Sequence, residues 1–227
     1  MPRLSAYIPP DLVVFDVDGT LHNAFAWWSP VIRAGLKVFA DPKGIDIPMP
    51  TDEEAEAVVG MKDEAVWAPF LPEGHKHLWP ELRKTVVPME VEEVSSGKDY
   101  LFEGIRPMLE HLRAIGVKVA LASNCRTTYM GAMKHGQKLV ELSDWQFCLD
   151  SPNVKTKHDM LFEAQKVSGA HKAVMVGDRE PDHHAAEHMG WPFIWRQNTR
   201  CAIHHADAVW SGDPDELLRL LGLPTLG

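Results

Sequence analysis

Cysteine is scarce in this sequence. Among its 227 residues only Cys125, Cys148 and Cys201 carry thiols, and no two of them are close together. An odd, scattered set excludes a disulfide framework and a CxxC-type zinc site, and it fits a reducing compartment. Basic charge is also short, with 23 Lys and Arg against 32 Asp and Glu, a net charge of −9. A generic nucleic-acid binder carries the opposite balance, so no nucleic-acid partner is expected. No apolar run reaches membrane-spanning length, and the N-terminus has no signal-peptide pattern, so no membrane partner is expected. Motifs are missing as well. There is no GxGxxG fingerprint and no GxSxG elbow, and Gly97-Lys98 lacks the upstream glycine spacing of a P-loop. What remains is a soluble, cytoplasmic, globular protein long enough to bury a full core.

What is present is a series of short apolar runs, each closed by a polar residue. Leu12 to Phe15 ends in Asp16, and Val117 to Ala122 ends in Ser123. Trp145 to Leu149 ends in Asp150, and Ala173 to Val176 runs into Gly177-Asp178. Pro192 to Trp195 and Asp207 to Trp210 follow. Near-continuous apolar runs of this length predict strands buried on both faces. Helical periodicity appears between them, at Ile105 to Ile115, Met160 to Val167, Asp182 to Met189 and Asp213 to Leu221. The alternation predicts an α/β fold: a parallel sheet with helices on both faces.

Residues 23–103 interrupt this rhythm. They hold no convincing buried strand, and they are dense in proline, from Pro30 to Pro88. Trp27, Trp28, Trp67 and Trp79 lie there too. Thr51 with Glu54 forms a capping-box pattern leading into Ala55 to Val59, and a second helix fits Lys62 to Ala68. The segment reads as a mainly helical insert between the first and second strands. The division expected is a core of residues 1–22 and 104–227 and an inserted domain of residues 23–103.

In an open parallel sheet, ligands bind at the carboxyl ends of the strands. The residues just past those ends are Asp16 and Asp18, Ser123 and Asn124, the Asp150 to Lys157 loop, and Asp178 with Asp182. Converging carboxylates require a cation, and a hard oxygen site suits Mg²⁺. A lysine and a hydroxyl beside a metal suit the oxygens of a phosphate. Two carboxylates one residue apart can divide nucleophilic or metal-binding work from proton transfer. The residues alone therefore point to Mg²⁺-dependent phosphoryl transfer.

The same residues resemble a known family. Val13-Val14-Phe15-Asp16-Val17-Asp18-Gly19-Thr20-Leu21 resembles motif I of the haloacid dehalogenase superfamily. Ser123-Asn124 matches its motif II, and Gly177-Asp178-Arg179-Glu180-Pro181-Asp182 matches its motif IV. The motif III lysine is Lys155 or Lys157. Lys155 has the better spacing to the apolar Met160-Leu161 pair, although Thr156 stands where a proline is usual.

The resemblance implies a Rossmann-like core with a helical C1-type cap inserted after the first strand, as in phosphoglycolate-phosphatase-like members. It implies Asp16 as the nucleophile that forms an aspartyl-phosphate, and Asp18 as general acid and base. It implies Ser123, Asn124 and Lys155 on the phosphoryl group. Metal falls to Asp16, the Asp18 backbone carbonyl, Asp178 and, through water, Asp182. The expected function is hydrolysis of a small phosphorylated metabolite by a monomer or homodimer. A sugar phosphomutase is the alternative. A phosphonoacetaldehyde hydrolase or dehalogenase fits less well, because Asp18 is present, and a non-catalytic binding module fits least, because no motif residue is lost.

Other features have blander readings. His184-Ala185-Ala186-Glu187-His188 matches H-x-x-E-H, but the alanine pair reads as a helix face packed on the sheet, so ordinary surface histidines are expected. Cys125 reads as a packing residue near the site. Arg179 either contacts substrate or pairs with Glu180 or Asp182. Arg33, Lys62, His75 and Arg83 are the candidates for substrate contacts from the insert.

Overall fold

In a computed structural model the chain is described at residues 2–198 and 203–226, which leaves Cys201 outside the described residues. The strands are β1 (Leu12–Phe15), β2 (Lys118–Ala122), β3 (Trp145–Phe147), β4 (Ala173–Gly177), β5 (Phe193–Arg196) and β6 (Ala208–Trp210). Each lies on one of the apolar runs. They form a single parallel sheet in the order β3-β2-β1-β4-β5-β6. The order reverses between β1 and β4, which opens a crevice at their carboxyl ends.

The helices are α1 (Pro2–Ser5), α2 (Trp28–Ala40), α3 (Asp52–Ala57), α4 (Glu64–Trp67), α5 (Trp79–Val94), α6 (Ile105–Ala114), α7 (Thr127–Gly136), α8 (Leu139–Leu142), α9 (Lys157–Ser168), α10 (Glu180–Met189) and α11 (Pro214–Leu220). Alternate strand residues face opposite helix layers. Val13 and Phe15 pack in one core with Met108 and Leu109 of α6 and Leu217 of α11. Leu12 and Val14 pack in a second core with Met160 and Leu161 of α9 and Ala185 and Ala186 of α10. Burying a side chain such as Phe15 stabilises the fold by about 1.5–3 kcal/mol. An acid at Val14 would face the second core with no partner.

The insert between β1 and β2 contributes no strand to the sheet. Its frame is α2 against α5. Gly35 sits at that crossing, where a Cβ would lie 2.5 Å from Val86 Cγ2, so only glycine permits the approach. The Trp28 indole N–H donates to the Ala55 carbonyl at 2.7 Å and ties α3 to this frame. The sequence did not signal α5, because Pro88 lies inside it. The helix tolerates that proline because the residue is exposed and the carbonyl left without a donor can turn to water.

The two ends of the insert leave the core side by side. The Asn23 amide donates to the Tyr100 carbonyl at 2.7 Å, and the Phe102 amide donates to the Leu21 carbonyl at 2.9 Å. This neck places the insert over the carboxyl edge of the sheet. There Asn124 Nδ2 donates to the Gly60 carbonyl at 3.2 Å. Arg126 bonds Asp63 of the insert at 2.7 Å and Asp150 of the core at 2.8 Å. Arg179 donates to the Ala57 carbonyl at 2.9 Å.

Candidate active site

Phe15 lies opposite Leu121 on one side and Val176 on the other. Asp16 therefore leaves the sheet level with Ala122 and Gly177, and Ser123 and Asp178 follow one residue later at the same edge. Gly177 closes β4 because a Cβ there would meet the Asp182 side chain at 2.4 Å. Gly19, at φ +94°, occurs for a related reason: a Cβ would lie 2.5 Å from Asp178 Oδ2. These two glycines let the β1 loop and α10 close on each other. The carboxylates of Asp16, Asp178 and Asp182 come within 4.8 Å of one another, and all three residues are buried.

One lysine enters this cluster. Lys157 Nζ lies 2.5 Å from Asp16 Oδ1 and 2.5 Å from Asp182 Oδ1. Lys155 does not reach it. Its side chain is exposed, and its backbone N–H donates to Asp159 Oδ2 at 2.9 Å. The expectation for Lys155 is thus corrected in favour of Lys157. The reason is where α9 begins. Thr156 is the N-cap, its side chain accepting from the Asp159 amide while Asp159 reaches back to Thr156. Lys157 is consequently the first helical residue, aimed along the strand ends, and Lys155 stays in the preceding loop.

Burial pushes the Asp16 carboxyl well above its ordinary range, with the Lys157 charge opposing. Burial also raises Asp178 to about 7, reinforced by the negative charge of Asp182. The three acids crowd around one lysine, and their mutual repulsion favours either protons or a bound cation between them. An oxygen-rich, anionic cluster of this kind fits a hard divalent cation such as Mg²⁺. Thr20 Oγ1 donates toward both Asp16 Oδ2 at 3.3 Å and Asp178 Oδ1 at 3.2 Å, and Asn198 Nδ2 donates to the Asp178 carbonyl at 3.0 Å.

Asp18 stands apart from that cluster, on the side toward the insert. Its Oδ1 takes hydrogen bonds from His22 Nδ1 at 2.8 Å and from the Tyr129 hydroxyl at 2.8 Å. One oxygen is thus held twice, which fixes the orientation of the carboxyl. Asp16, Asp18, Ser123 and Asn124 line one cavity beneath the insert. His22 and Tyr129 escaped the sequence reading. His22 directly follows the motif I residues, but α7, which carries Tyr129, had no clear apolar period.

The remaining candidates separate cleanly. Lys62 and Arg83 line the cavity, together with Trp27, Trp28 and Trp67. Arg33 is spent inside the insert, on the Pro50 carbonyl and Asp52. The Arg179 guanidinium bonds the insert backbone at Ala57 rather than the Glu180 or Asp182 carboxylates, while its backbone N–H donates to Asp182 Oδ2 at 3.0 Å. His188 stacks on His158 with ring centroids 4.3 Å apart, and His184 pairs with Glu180 at 3.0 Å. Among the described residues, His184, Glu187 and His188 do not gather their donor atoms around one point. Burial pushes the Cys125 thiol well up, which keeps it protonated and suits a packing role.

Residues 10–190 match the family model of the haloacid dehalogenase-like hydrolases. The chain belongs to this family. Its fold is also that of solved relatives. One is a haloacid dehalogenase-like hydrolase of Streptococcus pneumoniae, at a TM-score of 0.75 and 19% identity, with 93% of this chain and 98% of that one covered. A predicted phosphoglycolate phosphatase of Haemophilus somnus aligns at 0.75 and 18% identity over 93% and 98% of the two chains. CbbY of Rhodobacter sphaeroides, solved in complex with phosphate, aligns at 0.71 and 19% identity over 94% and 100%. No curated protein matches the sequence. Among the described residues, no helix of this hydrolase is long and apolar enough to cross a membrane.

Proposed function

We propose that this hydrolase is a Mg²⁺-dependent phosphatase that cleaves small phosphorylated metabolites through an aspartyl-phosphate on Asp16. The observation that carries the proposal is the split of the carboxylates. Asp16 sits buried on Lys157 beside Asp178 and Asp182, whereas Asp18 is held by His22 and Tyr129 on the cavity side. The first arrangement suits nucleophilic attack on phosphorus and the second suits proton transfer to a leaving oxygen.

In this reading Asp16, the Asp18 backbone carbonyl and Asp178 hold Mg²⁺, with Asp182 behind them and bonded to Lys157. When bound, the ion supplies positive charge against the repulsion between a carboxylate and a phosphate dianion. Lys157 neutralises further charge, and Ser123 and Asn124 orient the phosphoryl oxygens. Asp18 gives its proton to the leaving alcohol, then takes one from the water that attacks phosphorus of the Asp16 acyl phosphate, releasing inorganic phosphate and the free Asp16 carboxylate. The insert, residues 23–103, acts as a cap that excludes bulk water and contacts the leaving group. The solved relatives named for a phosphoglycolate phosphatase and for bound phosphate are in keeping with this chemistry.

The test is hydrolysis of nitrophenyl phosphate and a panel of metabolite phosphates, with Mg²⁺ or with excess chelator. Turnover is expected only with the ion, and Asp16→Asn is expected to lower it about a thousandfold or more, since an amide does not attack phosphorus. Full activity in chelator, or an Asp16→Asn enzyme within tenfold of wild type, would sink the proposal.

A further inference from the structure

The cavity wall contains one acid that the proposed chemistry does not use. Glu90 lies on α5 of the insert, lines the cavity shared with Asp16 and Asp18, and is only 9% exposed. Its carboxyl makes no hydrogen bond or ion pair with any described residue. Its oxygens are not among the sealed unpartnered polar atoms of the described residues, so they open to the cavity, where a ligand group can reach them. Burial raises Glu90 to about 8, and the negative charge of Asp18 pushes in the same direction. Arg83, two turns earlier on the same helix, lowers it, but the two side chains form no ion pair.

Two kinds of ligand group satisfy a carboxyl in such a place: a hydroxyl or an ammonium. The surroundings favour the second. Trp27, Trp28 and Trp67 present aromatic rings to the cavity, and ring faces attract cations. Asp18 adds a second acid on the core side. The nearby Arg126 guanidinium is already taken up by Asp63 and Asp150. Lys62 and Arg83 also line the cavity, so the ammonium is placed on the Glu90 side of it, beside the tryptophans. An ammonium would meet the Glu90 carboxyl directly, favouring its ionised form on binding, with aromatic surface around it.

We infer that Glu90 is a specificity residue, and that the leaving group carries an ammonium close to its phosphate ester, as in amino-alcohol phosphates and phosphorylated hydroxy-amino acids. This inference rests on the phosphatase reading. Glu90 touches the leaving group rather than the reacting atoms, so its signature is selectivity among substrates.

The experiment compares kcat/KM of the full-length wild-type enzyme in Mg²⁺ for phosphoethanolamine, phosphoserine, glycerol phosphate, phosphoglycolate and nitrophenyl phosphate. At least one ammonium ester is expected to exceed glycerol phosphate and phosphoglycolate tenfold or more. Glu90→Gln, which keeps the shape of the side chain, is expected to shrink that ratio tenfold or more. The wild-type comparison needs no variant, so a misfolded Glu90→Gln protein does not shelter the idea. Preference for glycerol phosphate or phosphoglycolate overturns the inference, as does an unchanged ratio in a folded Glu90→Gln enzyme. Turnover of nitrophenyl phosphate without ammonium preference overturns it while the phosphatase reading stands. No hydrolysis of any ester overturns both.

Discussion

The sheet edge and the insert face each other across one cavity, and they treat buried polar groups in opposite ways. At the sheet edge the acids are provided for by the chain itself: Lys157 bridges Asp16 and Asp182, and His22 and Tyr129 hold Asp18. On the insert side Trp27, Trp28 and Trp67 share the wall with Lys62 and Arg83, and Glu90 has no such partner. A group already held by its own chain is preorganised for a fixed reaction. A group left unheld is available to discriminate between ligands. In the proposed function, this difference gives the chemistry to the sheet and the choice of substrate to the insert.

The two lysines of the α9 loop offer the strongest test of that division. Lys157→Ala is expected to lower kcat/KM about a hundredfold or more, since a positioned charge in a water-excluded site contributes roughly 3 kcal/mol. Lys155→Ala, outside the site, is expected to stay within about twofold, as exposed charges usually do. The reverse ranking in steady-state kinetics would mean that α9 starts elsewhere.

A smaller effect separates Glu90 from the acids of the sheet edge. Its ordinary value of 4.5 is raised to about 8 in the fold. A carboxyl raised on folding binds its proton more tightly when native, so its contribution is complete below pH 4.5 and is lost as pH rises through 8. Glu90→Gln removes only this titration. Its melting temperature relative to wild type is therefore expected to climb between pH 5 and pH 8.5, by at least about 2–4 °C, the shift that 1 kcal/mol gives a chain of this size. A gap that does not move with pH would show that Glu90 is solvated or paired in solution.

The smallest effect compares two matched capping boxes. Thr51 caps α3 in the insert and Thr156 caps α9 in the core, each with an acid at the third helical position. Replacing either by alanine is expected to cost about 1 kcal/mol in denaturant unfolding. Only Thr156→Ala is expected to lower kcat as well, by about tenfold, because Lys157 is the next residue and misplacement of a catalytic group is expensive. Equal kinetic effects at both positions would erase the distinction between the two regions.

The strands and the helices α6, α9, α10 and α11 of the core were legible because each follows one strong local rule, which α7 and α8 do not. Runs such as Leu12 to Phe15 are apolar throughout, since both faces of a central parallel strand are covered, and the next polar residue then marks the carboxyl edge. The insert followed weaker rules. Thr51 and Glu54 announced α3, but α5 has a proline in its interior and α2 runs directly on from a three-residue 3-10 turn with no side-chain cap. Neither leaves a clean signal, because these helices are stabilised by tertiary packing, such as Gly35 against Val86, rather than by local propensity.

By itself, then, the sequence determined the order of the strands, the helices α6, α9, α10 and α11, and the presence of Asp16, Asp18, Ser123, Asn124, Asp178 and Asp182 along one sheet edge. Strand patterning and short-range spacing are local properties, written within a few residues of each other. Only the tertiary structure decided that Lys157 rather than Lys155 meets Asp16, that His22 and Tyr129 hold Asp18, and that Glu90 faces the cavity unpaired. Those contacts join residues up to 141 positions apart, as Lys157 and Asp16 are. Helix phase and the docking of the insert fix them, and neither is encoded in any one stretch of chain.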